Sequence, residues 1–89
     1  MPTIKEVLNK VNLSETITES IKYRWLSQLD NINYKYPEDA DVELAIKPPY
    51  DNVYVLYLKA MNEFFTGDMR AYEKSAREFD IAYSKRRGH

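Results

Sequence analysis

Residues 51–83 read DNVYVLYLKAMNEFFTGDMRAYEKSAREFDIAY, and this stretch decides the fold. Asp51 is placed to cap a helix that continues to Thr66 and stops at Gly67, because aspartate favours the N-cap and glycine the left-handed C-cap. Asp68 is placed to cap the next helix after a two-residue connection, which is typical of antiparallel neighbours. The stretch therefore predicts a C-terminal antiparallel helical hairpin.

The two helices of this hairpin differ in their apolar patterns. In the first, residues 53–58 are all apolar or aromatic, so this half has no polar face and must be covered on more than one side. In the second, apolar residues recur every three or four positions, which predicts a seam against the first helix. The seam residues are Met69, Tyr72, Ala76, Phe79 and Tyr83. The first helix of the hairpin should therefore lie centrally in the domain or meet a partner.

Two further helices are predicted upstream. Thr3 followed by Glu6 has the spacing of a capping box and predicts a short helix over residues 3–12. Ser14 or Thr16 is placed to cap a second helix over residues 16–34. Its apolar stripe consists of Ile17, Ile21, Trp25, Leu29 and Ile32. Its opposite, solvated face consists of Glu19, Lys22, Ser27, Gln28 and Asp30.

The region between the second helix and the hairpin has a different pattern. Pro37 ends the helical periodicity, and residues 42–46 then alternate between apolar and other side chains, which allows a short extended segment. Such a segment needs a pairing partner, either residues 34–36 or another subunit. The fold class that follows is all-α: residues 1–89 form a single four-helix domain with a C-terminal antiparallel hairpin.

Composition excludes several classes of function. Thirteen basic and fourteen acidic residues give a net charge of −1, which argues against the positive field of a non-specific DNA coat. The chain has no cysteine, two glycines and one histidine, His89, so it lacks thiolate metal sites, phosphate-binding glycine loops and an imidazole cluster. The acidic loop at residues 38–43 lacks the glycine and terminal glutamate of a calcium loop. We expect no catalytic residue, cofactor, metal or small-molecule substrate.

The distribution of apolar residues along the sequence also predicts the cellular location of the protein. The first residues lack the apolar run of a secretory signal, and no stretch approaches the roughly 20 apolar residues of a membrane span. We therefore expect a cytoplasmic protein without membrane contact.

The remaining candidate sites are surfaces for other macromolecules. Eight tyrosines in 89 residues are many, and tyrosine suits surfaces that are buried on one side and wet on the other. An aromatic group on the first hairpin helix is interpreted as core or subunit contact in preference to a ligand pocket. It comprises Tyr54, Tyr57, Met61, Phe64 and Phe65. The basic end, Lys85, Arg86 and Arg87, is either a solvated tail or a contact for phosphate or an acidic partner.

The C-terminal half also resembles a known family. The run ELAIKPPYDNVYVLYLKA at residues 43–60, followed by Gly67-Asp68, YEKS at residues 72–75, Phe79 and Tyr83, resembles small head-tail connector, or head-completion, proteins of tailed phages and prophages. The resemblance covers residues 43–86. It implies a helical adaptor and virion component that docks as a ring on the portal, extends the DNA channel and receives the next tail component.

In a connector, the expected partners are the portal, tail proteins and further copies of the chain. Ring subunits need contacts on two different faces, which a helix that is apolar all round and an excess of tyrosine could supply. The interface candidates are Tyr50, Tyr54, Tyr57, Phe65, Val42, Leu44 and Ile46. The segment from Val42 to Ile46 could pair with a neighbour, and the basic end could meet the portal or DNA in the channel.

Two other classes remain open. A nucleic-acid-binding regulator would need two short helices that cross steeply, with a recognition helix rich in Arg, Lys, Asn or Gln, whereas the predicted hairpin is long and antiparallel. A host-directed helical module, such as an inhibitor of a bacterial enzyme, is compatible with the composition. Salt-dependent DNA binding would favour the regulator, and a stable monomer that captures one host protein would favour the inhibitor.

Overall fold

The computed structural model of the protein describes residues 2–87, with side chains for residues 2–85. Residues 2–87 form four helices: α1 (Ile4–Asn9), α2 (Glu19–Asp30), α3 (Asn52–Thr66) and α4 (Met69–Arg87). Between these bounds the β-type pairing consists of one isolated antiparallel bridge, from Thr3 to Glu43. The predicted all-α class is therefore confirmed.

Helix α3 is the centre of the domain. Helices α1, α2 and α4 all pack against it, and α4 does so most extensively. Val53, Tyr54 and Leu58 in its first half are fully buried. Of the two alternatives that the sequence left open for this helix, a central position in the domain or contact with a partner, the structure shows the first.

The turn between α3 and α4 has the predicted capping chemistry. Gly67 adopts a left-handed conformation with φ of 85°, which glycine reaches without steric cost. The Asp68 amide donates to the carbonyl of Glu63 at 2.9 Å, as in a Schellman motif. The carboxylate of Asp68 accepts a hydrogen bond from the amide of Ala71 at 3.2 Å and so caps α4.

Two ring pairs define the register of the α3 and α4 hairpin. Tyr57 packs on Phe79 with ring centroids 5.2 Å apart, and Phe64 packs on Tyr72 at the same separation. Because the earlier residue of α3 pairs with the later residue of α4, the helices run antiparallel. Ser75, midway along this register, is buried, and its small side chain lets the two helices approach closely.

Helix α1 begins as predicted but is shorter. The Thr3 hydroxyl accepts a hydrogen bond from the Glu6 amide at 3.2 Å, so Thr3 is the N-cap. The helix ends at Asn9, before the predicted end at residue 12. The chain then crosses to α2 through a turn at residues 15–16.

Helix α2 starts later than the sequence pattern predicts. Thr18 is the N-cap, and its hydroxyl accepts from the Ile21 amide at 3.3 Å. Ser14 and Thr16, the two predicted caps, instead hydrogen-bond to each other in the preceding turn, with their oxygens 2.9 Å apart. Several hydroxyl residues in succession offer competing caps, and packing selects among them.

Helix α2 also ends earlier, at Asp30. Asn31 adopts a left-handed conformation with φ of 56°, which asparagine tolerates better than most residues. The predicted extension to Tyr34 is therefore wrong, and Ile32 lies outside the helix on the surface. Trp25 is buried against the core as the stripe predicts, and Tyr23 and Leu26 beside it are buried as well.

The segment at residues 42–46 runs beside the N-terminus. The Ile4 amide donates to the carbonyl of Val42 at 3.1 Å, and the Leu44 amide donates to the carbonyl of Pro2 at 2.9 Å. The pairing partner is therefore the start of the same chain, and neither residues 34–36 nor a second subunit is needed. Leu44 and Ile46 point into the core.

Candidate interaction surfaces

A cluster around Asp30, here called the Asp30 cluster, fixes the loop that follows α2. The Asp30 carboxylate accepts hydrogen bonds from the hydroxyls of Tyr34 at 2.5 Å and Tyr54 at 2.7 Å, and from the Ala45 amide at 3.1 Å. The Ile46 amide donates to the Tyr54 hydroxyl at 2.7 Å. These bonds tie the end of α2, the segment at residues 45–46 and α3 together.

The electrostatics of this cluster follow from burial. Burial, and then the hydrogen bond to Asp30, raises the pKa of both Tyr34 and Tyr54 well above the usual value for tyrosine. A carboxylate at the C-terminal end of a helix is disfavoured by the helix dipole, and the converging donors offset that cost. The expectation that Asp30 belongs to a solvated face is wrong, because the chain turns back over it after Asn31.

Three of the seven predicted interface residues lie in the core of the single chain. Tyr54 and Leu44 are fully buried and Ile46 is nearly so within the single chain. They present no surface to a partner in this fold, so they are corrected to core residues. Val42 and Phe65 are exposed, while Tyr50 and Tyr57 are half-buried.

The first apolar surface lies at the turn of the hairpin. Phe64 is 55% exposed, and Phe65 and Met69 are each 48% exposed; these three residues are called the hairpin tip. The tip is anchored by two ring contacts, since Phe65 packs on Trp25 at 6.3 Å and Phe64 packs on Tyr72 at 5.2 Å. The remaining area faces solvent. Met69 was predicted in the seam against the first hairpin helix, and Phe64 as core or subunit contact; about half of each side chain is exposed.

The second apolar surface is a concave site at the other end of the same hairpin, here called the C-terminal groove. It has a volume of about 500 Å³. Its lining consists of Pro49, Tyr50, Asn52, Leu56, Glu78, Ile81, Ala82 and Lys85. Ile81 is 55% exposed. The groove brings Tyr50 and Lys85, two predicted site residues from different segments, to one place.

A second cavity continues the groove along α3. It has a volume of about 360 Å³ and is lined by Val7 of α1 together with Val55 and Leu56 of α3. Leu56 and Asn52 line both sites. The apolar first half of α3 is therefore covered incompletely, and an apolar strip remains open between α1 and α4.

Ile81 could have been found from the sequence. It lies between Phe79 and Tyr83 but does not fit their seam, so it is an apolar residue on the face of α4 that carries the charged residues. An apolar residue out of phase with the buried stripe is a sign of a second contact. No such sign distinguishes Phe64, whose position matches both the core and the surface.

A polar cleft of about 410 Å³ lies between α2 and the loop at residues 33–38. Tyr23 and Tyr36 pack edge to face in it, with ring centroids 5.1 Å apart. Arg24, Lys35 and Glu38 also line the cleft, so both signs of charge are present.

The other predicted features are placed as follows. Lys85 is exposed beside the C-terminal groove, whereas the side chains of Arg86 and Arg87 lie outside the described residues. In the part of the chain that is described, no three His, Cys, Asp or Glu side chains gather where they could hold a metal ion. None of the helices in residues 2–87 combines the length and the apolar character that crossing a membrane requires.

No protein-family model, no curated protein and no solved structure matches this chain.

Proposed function

We propose that this protein is a structural assembly protein of a tailed phage or prophage, a head-tail connector subunit that docks as a ring on the portal. The observation that carries the proposal is the pair of apolar surfaces at opposite ends of one helical hairpin. An adaptor must hold two neighbours at once, and two separated surfaces meet that need. The resemblance of residues 43–86 to connector proteins is the reason for proposing that the adaptor belongs to a tailed phage or prophage.

The chemistry of the two surfaces supports contact with protein. Aromatic and methionine side chains are enriched at the centres of protein interfaces, and the hairpin tip consists of two phenylalanines and a methionine. The C-terminal groove has Tyr50 and Ile81 in its lining and charged Glu78 and Lys85 beside them. An apolar centre with a charged rim is the usual anatomy of a protein contact.

Neighbouring genes provide the first test. The DNA on either side of this reading frame should encode portal and major capsid proteins upstream and tail proteins downstream. A position beside a repressor gene, or among small early-expressed frames, would contradict the connector role and favour a regulator or a host-directed inhibitor.

Particle composition provides the second test. Particles purified from a producing culture should contain the chain, and deleting its gene should leave filled heads and tails that do not join in electron micrographs. Lys5→Ser, an exposed change on α1 that lines neither the C-terminal groove nor the hairpin tip, is the matched control and should restore joining. Normal joined particles after deletion would contradict the proposal.

A further inference from the structure

The hairpin tip and the C-terminal groove are complementary in shape. The tip projects from the turn between α3 and α4, whereas the groove is concave and lies where α3 begins and α4 ends. Leu56 in the groove and Phe64 in the tip are eight residues apart on α3, which is about 12 Å along the helix axis at the usual rise per residue. One copy therefore presents both a projection and a recess, at separate places on a single stiff element.

The rims of the two surfaces are complementary in charge. Asp68 and Arg70, one of each sign, flank Met69 at the tip, and all three are exposed. Glu78 and Lys85, again one of each sign, lie in the lining of the groove. A tip seated in a groove can therefore place Arg70 near Glu78 and Asp68 near Lys85, which favours one orientation.

We propose that the hairpin tip of one copy of this protein binds in the C-terminal groove of a second copy, so that copies associate head to tail. Contact between two tips would press two projections together and leave the groove open. Contact between two grooves would leave their volume unfilled. A tip seated in a groove covers both apolar surfaces, and such contacts made head to tail build a ring or an open chain. Such self-association would form the ring of the proposed connector, and it rests on that proposed function for its role.

The size of the tip determines how strong this contact is. With about half of each side chain exposed, the three residues offer roughly 300 Å², taking 150–250 Å² for a large side chain. Stable interfaces bury about 800 Å² on each partner. The free protein should therefore be a monomer in dilute solution and associate only at high concentration.

Sedimentation equilibrium of the full chain, from about 10 μM to about 1 mM, tests the proposal over the range expected for weak contacts. The tip variant combines Phe64→Ser with Met69→Ser, and the groove variant is Ile81→Glu. All three side chains are about half exposed, so both variants should fold, which far-ultraviolet circular dichroism and thermal melting verify. Phe65 is left unchanged because it packs on Trp25.

The wild-type protein should gain mass with concentration, and each variant alone should stay monomeric. A mixture of the two variants should form a complex of two chains and grow no further, because it retains one intact tip and one intact groove. This outcome would establish the contact between tip and groove, and growth of the wild type beyond two chains would show that the contact is made head to tail and not twice within a symmetric dimer.

Three results would overturn the proposal. These are a wild-type protein that stays monomeric or stops at two chains, variants that associate like the wild type, and a mixture that stays monomeric although the wild type associates. Failure here is separate from failure of the connector role, because a monomer that still enters particles would have the tip and groove facing other virion proteins.

Exchanging the charges of Arg70 and Glu78 tests the proposed orientation of the tip in the groove. Arg70→Glu should weaken self-association about tenfold, and adding Glu78→Arg in the same chain should restore it. Equal weakening in the single and double variants would contradict the proposed pairing of the rims.

Discussion

Asp30 ends α2 and Phe64 lies near the end of α3, yet the carboxylate of Asp30 turns inward among hydrogen-bond donors while more than half of the Phe64 side chain faces solvent. The comparison separates two uses of side chains. The Asp30 cluster finds all its partners within the chain, so it specifies the path of one loop. The hairpin tip finds few partners within the chain, so its apolar area remains for another molecule.

The two regions should also differ in how much a substitution changes the free energy of unfolding. A buried donor that loses its acceptor costs free energy in proportion to its lost solvation, so the Asp30 cluster should be sensitive to single atoms. An exposed apolar side chain contributes little to folding, so the tip should tolerate substitution. Four predictions test this contrast, beginning with the largest effect on stability.

Replacing Asp30→Ala should have the largest effect. It removes the acceptor of two tyrosine hydroxyls and of the Ala45 amide, and we expect a loss of about 3 kcal/mol in the free energy of unfolding. Urea denaturation measures it. The control is Asp80→Ala on the exposed side of α4, which should stay within about 0.5 kcal/mol. Equal effects at both positions would contradict the role of the cluster.

Replacing Tyr54→Phe removes a single oxygen from the same cluster. The Ile46 amide loses its acceptor and Asp30 loses a donor, so we expect a loss of about 2 kcal/mol. Tyr57→Phe, one turn further along α3, is the matched control, because the same atom is removed from a half-buried ring; we expect a change below about 0.5 kcal/mol. A similar loss in the two variants would show that the hydroxyl of Tyr54 has no special part.

Alkaline pH tests the same hydroxyls through their ionisation. Because the pKa values of Tyr34 and Tyr54 are raised in the fold, the unfolded chain releases their protons first, starting near pH 10. Their contribution to stability is fully present below that pH and declines above it, by about 1.4 kcal/mol per pH unit for each tyrosine. Urea denaturation from pH 8 to about pH 11 should give a shallower decline for Tyr54→Phe than for the wild type. Parallel declines would contradict the shifted pKa of Tyr54.

Replacing Met69→Ser at the tip should have the smallest effect. Its side chain is half exposed at the first residue of α4, and we expect the free energy of unfolding to change by less than about 0.5 kcal/mol. Retention on a hydrophobic column should fall at the same time. A loss of more than about 1 kcal/mol would place Met69 in the core and weaken the comparison.

The cluster and the tip also differ in how far they were predictable. The hairpin followed from local chemistry, since Gly67 and Asp68 can be interpreted without knowing what packs against them. The ends of α2 did not follow, because Ser14, Thr16 and Thr18 compete as caps and Asn31 stops the helix before its apolar pattern ends. Polar Asp30 was misplaced, because it lies where the chain direction changes, whereas for apolar Phe64 the sequence left core and subunit contact as alternatives.

The sequence by itself determined the all-α class and the antiparallel hairpin. These depend on periodicity, caps and turn residues, which act over a few positions. Only the tertiary structure decided which apolar residues are core and which are surface. The segment at residues 42–46 pairs with the N-terminus, and Asp30 accepts a hydrogen bond from the Ala45 amide within it. These contacts bury Leu44, Ile46 and Tyr54. Phe64 and Ile81 stayed about half exposed because their neighbours cover only part of each side chain: Tyr72 packs on Phe64, and Ile81 shares the groove with Tyr50. Burial depends on contacts between residues that are distant in sequence, and local patterns carry no record of those contacts.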